Sequence, residues 1–239
     1  MRAVILAGGK GTRLASSSTL PKPLMPLGEM PILELVIRQL RVAEVDRVTL
    51  AVGYMADLLK RHFGGGERVG LPIDYSQEPE PLGTAGPLGL IPDLRETFLA
   101  MNGDLLTDLD FRAFIAHHRR ARAAATIGVY ERQLPSDFGV IQLDGADRVT
   151  GYLEKPVQSY VISMGVYVLE PSVLRYLPAG RRFDLPDLMT ALLQAGEPVA
   201  AYRHRGYWLD IGRPDDYQRA QDDFPSMKAR LLGLQKVAA

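Results

Sequence analysis

Cysteine is absent from the 239 residues, so the chain can form neither a disulfide nor a thiolate metal site, which suits a reducing compartment. Net charge is absent too, with 28 basic residues against 28 acidic ones. That balance leaves no chain-wide electrostatic footprint for nucleic acid or an anionic membrane. Long hydrophobic runs are missing: the first apolar stretch is cut short at Gly8-Gly9, too early for a signal peptide or a membrane span. A cytoplasmic location is the expectation. Lysine is scarce, occurring only at positions 10, 22, 60, 155, 228 and 236, so a lysine inside a motif stands out.

A hydrophobic content of 46% is ample for a full core, and 239 residues suit one large α/β domain. The chain opens on Arg2-Ala3-Val4-Ile5-Leu6-Ala7, an apolar run that ends in Gly8-Gly9-Lys10-Gly11-Thr12-Arg13-Leu14. This is the pattern of a buried strand feeding a loop whose backbone N–H groups can converge on anionic oxygens. Lys10, Arg13 and Lys22 add three cations, and phosphate is the ligand they suit. Neither common phosphate loop is spelled here. Gly11 is followed by Thr12-Arg13 where a P-loop needs Lys and then Ser or Thr, and Leu14 stands where a Rossmann fingerprint needs its third small residue.

Along the chain, Ile32 to Arg41 has its apolar residues at helical spacing, with Leu33, Val36, Ile37 and Leu40 on one stripe. Strands are predicted at Val48–Val52, Ile73–Ser76 and Phe98–Met101, with a helix to about Phe63 between the first two and a short helix to about Leu90. Apolar strands with polar, glycine-containing C-terminal ends predict an open, mostly parallel sheet that binds ligands outside those ends. After a helix from Asp110 to Arg122, short β runs follow at 124–130, 139–143, 149–154 and 161–169. They predict a mixed, partly antiparallel extension. Helices at 172–176 and 185–193, a strand at 199–202 and a last helix from Pro214 to about Asp222 complete the reading.

The motif Leu6-x-Gly8-Gly9-x-Gly11-Thr12-Arg13-Leu14, followed by Pro21-Lys22-Pro23-Leu24, resembles the signature of the sugar-1-phosphate nucleotidylyltransferases. The spelling Glu80-Pro81-Leu82-Gly83-Thr84-Ala85-Gly86-Pro87-Leu88 is similar to the mannose-1-phosphate guanylyltransferase branch. The resemblance runs in order from Arg2 to about Asp223. It implies a three-layer α/β/α sandwich with a mixed, mostly parallel Rossmann-like sheet. Residues 1–122 would bind the nucleotide, 123–223 the sugar phosphate, and 224–239 would form a short tail. That tail has no hexapeptide periodicity, so the left-handed β-helix domain of many relatives is not expected.

The implied reaction joins an NTP, GTP by preference, to a sugar 1-phosphate, mannose 1-phosphate by preference. NDP-sugar and pyrophosphate are the products, and Mg²⁺ is the cofactor. Arg13 and Lys22 would bind the triphosphate, while Asp104 and Asp210 would hold the metal. Leu6, Ala7, Gly8, Gly9, Gly11 and Thr12, with Gln77, Glu78, Leu82, Gly83, Thr84, Asn102 and Gly103, would surround the nucleotide. Gly139, Glu154, Lys155, Ser163, Gly165, Tyr167 and Trp208 would bind the sugar phosphate. Two departures stand out: Ala15-Ser16-Ser17-Ser18-Thr19 replaces the family's Pro and Thr, and Ser163 replaces its Asn. Small-molecule substrates and a homodimer are the expected partners.

Taken singly, each motif has a plain structural reading as well. The glycine run can be a tight turn, 82–85 a proline-rich connection, Asn102-Gly103-Asp104 a turn, Asp210 a cap and Glu154–Lys155 a solvated ion pair. Ordered agreement among them favours chemistry. Another sugar or cyclitol phosphate, or UTP or dTTP, would leave that chemistry intact. A non-catalytic nucleotide-sugar sensor is the rival from a different class, and it would have no need of the two metal carboxylates. A nicotinamide dehydrogenase is disfavoured by the glycine spacing.

Overall fold

The computed structural model describes residues 1–9, 20–43, 45–53 and 55–232. β1 (Arg2–Leu6) leads, through a 3-10 turn at Lys22–Leu24 and the short strands β2 (Pro26–Leu27) and β3 (Met30–Pro31), into α1 (Ile32–Arg41). Next come β4 (Arg47–Val52), α2 (Ala56–Phe63), β5 (Ile73–Gln77), a 3-10 turn at Gly86–Leu90, β6 (Phe98–Asn102) and β7 (Leu105–Thr107). α3 (Phe111–Ala121) precedes β8 (Ala125–Pro135), β9 (Val140–Leu143), β10 (Val149–Leu153) and β11 (Val157–Leu169). A 3-10 turn at Pro171–Tyr176, α4 (Leu185–Gln194), β12 (Val199–His204), β13 (Trp208–Asp210) and α5 (Pro214–Leu231) complete the described chain.

Seven strands form one sheet in the order β12-β8-β11-β6-β1-β4-β5. β1 pairs in parallel with both β4 and β6, while β11 runs antiparallel to its neighbours β6 and β8. Strand periodicity sends alternate side chains to opposite faces. Ala3 and Ile5 of β1 therefore join Leu33, Val36, Leu59 and Phe114 in one core cluster. Val4 joins Phe98, Leu88, Leu185 and Leu188 in another. The result is helices on both faces of a mixed, mostly parallel sheet, the expected three-layer sandwich. The chain leaves β1 for β4 and β5 on one side and returns to β6 on the other, so β1 and β6 border the switch point where such sheets bind ligands.

The second half differs from the sequence expectation in reach. β8 and β11 pair with each other out to Pro135 and Val157, well past the point where β12 leaves β8 at Tyr130. Together with the β9–β10 hairpin they form an arm on which Phe138, Val149 and Tyr152 are exposed. α5 also continues beyond its expected end near Asp222, into the stretch read as a tail. Phe224 and Leu231 are buried with Ala220 against Leu27, Leu106 and Ile211, and this apolar stripe carries the helix through Pro225. Residues 233–239 lie outside the described residues.

A nucleotide-sized cleft at the sheet's switch point

The strand ends are drawn together by backbone hydrogen bonds: Ala7 N donates to Ala51 O, Glu78 N to Val52 O and Gly103 N to Leu6 O. Above them opens a cleft of about 750 Å³, a size usual for a small-molecule site. Leu6, Ala7, Gly8, Gly9, Lys22, Glu78, Gly83, Thr84, Asn102, Gly103 and Asp104 of the predicted set line it, and so does Gly212, just after Asp210.

Glycine is needed here to admit a carboxylate. A Cβ on Gly8 would stand 2.4 Å from Glu78 Oε1, and one on Gly53 2.7 Å from the same atom. Glu78 Oε2 accepts from Leu82 N at 2.9 Å, so this side chain braces three strand ends. Gln77, one residue earlier on the strand, points the other way, and its Oε1 accepts from Lys60 Nζ at 2.8 Å. It is not among the cleft-lining residues. Leu82 is buried. Lys10, Gly11, Thr12, Arg13 and the Ala15–Thr19 segment lie outside the described residues.

The backbones of the two predicted metal residues are joined through a small ribbon. β13 pairs antiparallel with β7, with Asp210 opposite Leu105, and Ile211 N donates to Asp104 O at 3.1 Å. Asp104 Oδ2 accepts from Lys22 Nζ at 2.5 Å. Its Oδ1 is buried without a hydrogen-bond partner among the described residues. An open buried carboxylate acceptor suits Mg²⁺, which takes one or two carboxylates and completes its octahedron with water and phosphate oxygens. Asp104 thus fits the ion, and Asp210 follows on the paired strand.

The far end of the ribbon is held by a buried acid that carries no motif. Asp108 Oδ1 accepts from Tyr207 N at 2.6 Å and lies 2.9 Å from His204 Nε2, and its Oδ2 pairs with Arg230 of α5. Burial pushes the Asp108 carboxyl up. The His204 hydrogen bond and charge, the Tyr207 N–H and Arg230 outweigh it and hold the group below its ordinary value. A carboxyl depressed in the fold contributes stability that is complete above its unfolded value and is lost as pH falls through the folded one. Asp108→Asn is therefore expected to lower stability at neutral pH and to flatten its decline in acid, as read by urea unfolding at stepped pH.

The predicted sugar residues fall into two groups, both outside the cleft-lining set. At an irregularity in β11, Ser163 Oγ bonds Tyr167 OH at 2.9 Å and Trp208 Nε1 donates to Met164 O at 3.1 Å. Gly165 adopts φ +73°, where a Cβ would lie 2.7 Å from Asn102 Nδ2. Gly139, Glu154 and Lys155 sit out on the arm, where Tyr152 OH donates to Glu154 Oε2 and Lys155 takes the left-handed φ of 45°. Sequence reasoning missed Arg182 and Asp184, which also line the cleft. A signal existed: Asp184 and Asp187 bracket a helix start, and Asp184 N donates to Asp187 Oδ2 at 3.1 Å.

The family profile described as Nucleotidyl transferase matches residues 2–226. The chain belongs to that family. Among nucleotidyl transferases it is 35% identical to a UTP–glucose-1-phosphate uridylyltransferase of Synechocystis, with 92% of this chain and 62% of the relative covered. It is 37% identical to a mannose-1-phosphate guanylyltransferase catalytic subunit beta of Danio rerio, at 91% and 62% coverage. The chain thus spans about 62% of the length of these curated relatives. A crystal structure of HddC from Yersinia pseudotuberculosis complexed with GMP-PN superposes with a TM-score of 0.72 at 29% identity, covering 93% of this chain and 99% of that one. The fold is that of the nucleotide-diphospho-sugar transferases. Among the described residues no helix is long and apolar enough to cross a membrane.

Proposed function

We propose that this nucleotidyl transferase makes a nucleotide sugar: an oxygen of a sugar 1-phosphate attacks the α-phosphorus of an NTP in line, and the bond to pyrophosphate breaks. The observation that supports this reading is the Lys22–Asp104 pair in a glycine-lined cleft, with the strand that carries Asp210 paired to the one that follows Asp104. No covalent nucleophile is required, because positioning and charge neutralisation supply most of the catalysis in phosphoryl transfer. Lys22 would turn from Asp104 to the α-phosphate, and Arg13 would hold the outer phosphates. Asp104 and Asp210 would hold Mg²⁺, which would supply charge neutralisation for the phosphate groups. The cytoplasm is the proposed compartment and a homodimer the proposed assembly.

GTP and mannose 1-phosphate are the proposed substrates. The spelling from Glu80 to Leu88, the Danio rerio relative's name and the GMP-PN complex of HddC support guanine. UTP with glucose 1-phosphate is the second reading, favoured by the name of the Synechocystis relative. A pyrophosphate-release screen of each NTP against a panel of sugar 1-phosphates separates them. Turnover with GTP and mannose 1-phosphate above all other pairs is the expected result, and a clear preference for a pyrimidine triphosphate overturns the assignment.

Residues 123–223 are proposed to receive the sugar phosphate, with Lys155 on its phosphate. A non-glycine residue in left-handed backbone costs about 1–2 kcal/mol, and such strain collects at functional sites. Lys155→Ala is expected to raise KM for the sugar phosphate about tenfold or more, the usual scale for losing a charge-assisted hydrogen bond, while NTP affinity stays near wild type. Calorimetry showing the reverse pattern would remove Lys155 from the sugar site.

A further inference from the structure

The wall of the cleft formed by Gly83 and Thr84 is fastened to a segment distant in sequence. Phe183 N donates to Leu82 O, and Ala85 N and Gly86 N both donate to Phe183 O, each at 2.9 Å. Thr84 N donates to Asp184 Oδ1 at 2.8 Å, and Leu185 N to Thr84 Oγ1 at 2.7 Å. These bonds fix the segment that directly follows Arg182 beside Leu82–Gly86. Arg182 is among the residues that line the same cleft, and its side chain is 73% exposed. The hydrogen bond it makes there, to Asp184 Oδ2, is long at 3.4 Å.

Among the described residues, the other charged side chains that line the cleft have closer partners. Lys22 is held by Asp104 at 2.5 Å, Glu78 by Leu82 N, and Asp184 by Thr84 and the helix start it caps. Arg182 can therefore turn onto a ligand at the cost of one stretched bond. We infer that Arg182 is a specificity-determining residue that reads the base, donating in parallel to the O6 and N7 acceptors of guanine. The inference rests on the guanine reading proposed above.

The chemistry selects among bases. A guanidinium presents paired donors in a rigid fork, and guanine sets two acceptors side by side on one edge. Adenine places a donor beside N7, uracil and thymine offer the single acceptor O4, and cytosine offers a donor, N4. The base rather than the triphosphate is taken as the partner because Arg182 is fastened to Gly83 and Thr84, within the Glu80–Leu88 segment whose spelling supports guanine. The strand-end glycines and Lys22 belong to β1 and the turn that follows it.

The test measures kcat/KM for GTP, 7-deaza-GTP and UTP with mannose 1-phosphate, and calorimetric nucleotide binding without sugar, in wild type, Arg182→Ala and Arg182→Lys. 7-Deaza-GTP lacks the N7 acceptor and is otherwise guanine. The wild type is expected to favour GTP over 7-deaza-GTP by about tenfold, within the range of a good bidentate contact. In Arg182→Ala that preference vanishes and the GTP to UTP ratio falls by about tenfold or more, and lysine, a point charge, restores little of either. Ratios that stay put overturn the assignment: a uniform loss across nucleotides makes Arg182 a phosphate clamp, and no loss makes it a bystander. A wild type with no guanine preference sinks the guanine reading itself, whereas a guanine preference that survives in Arg182→Ala sinks only the role of Arg182.

Discussion

Asp104→Asn and Asp210→Asn are each expected to fold and to lose turnover by about 10²-fold or more, the scale for removing one key electrostatic stabiliser. Asparagine keeps the outline of aspartate but not its charge. At position 104 the loss falls on a side chain with one oxygen on Lys22 and the other buried and open. At position 210 it falls on an exposed carboxylate whose strand is pinned to β7 by register, so the backbone has no reason to move. Both variants should show circular dichroism and NTP-free melting close to wild type. Steady-state rates across a Mg²⁺ titration make the measurement, and excess Mg²⁺ should restore part of the activity of each. Near wild-type turnover in Asp210→Asn at limiting Mg²⁺ would reduce Asp210 to a turn cap and leave the metal to Asp104 and the substrates.

Gly83→Ala should be nearly as damaging, through geometry. Gly83 sits at φ +80°, a conformation that costs a residue with a side chain about 1–3 kcal/mol. The added Cβ would also lie 2.7 Å from the backbone oxygen of Phe183, which cannot swing aside as a side-chain end can. The same oxygen accepts from Ala85 and Gly86, so relief for the methyl group breaks the bonds joining the two segments of the wall. An increase in NTP KM of about tenfold to 10²-fold is expected, on the scale by which misplacing a positioned group slows a reaction. Urea unfolding should show the accompanying stability loss. Wild-type NTP affinity in a folded Gly83→Ala variant would take this loop out of the nucleotide wall.

Much of the frame was legible because its signals are local. β1 announces itself by apolar residues that end at glycine, and α1 by a stripe whose spacing needs no tertiary knowledge. Glu78 and Gln77 show where local reading stops. Both were expected at the nucleotide, but neighbouring residues on a strand face opposite ways, so one braces the cleft and the other meets Lys60. Arg182 and Asp108 were missed for a different reason: each acquires its surroundings from elements far along the chain, and no spacing in the sequence encodes that. The Lys22–Asp104 pair was hidden in the same way, although both residues had been singled out separately. Along α5, the proline at 225 masked a helix whose buried stripe runs past it.

The bonds that close the cleft join residues about a hundred positions apart: Thr84 with Asp184 and Leu185, and Asp108 with Tyr207. Contacts so distant pay a large loop-closure entropy before they reward the chain, so they belong to the slow part of folding. A chain emerging from the ribosome can pair β1 with β4 and β6 while β13 is still unmade. Such a half-made protein has the glycine turn and Asp104 but lacks Asp210, Asp184 and Arg182. On the proposed function, the complete nucleotide site forms only after the first strands of the sheet have paired, both during synthesis and on dilution from denaturant.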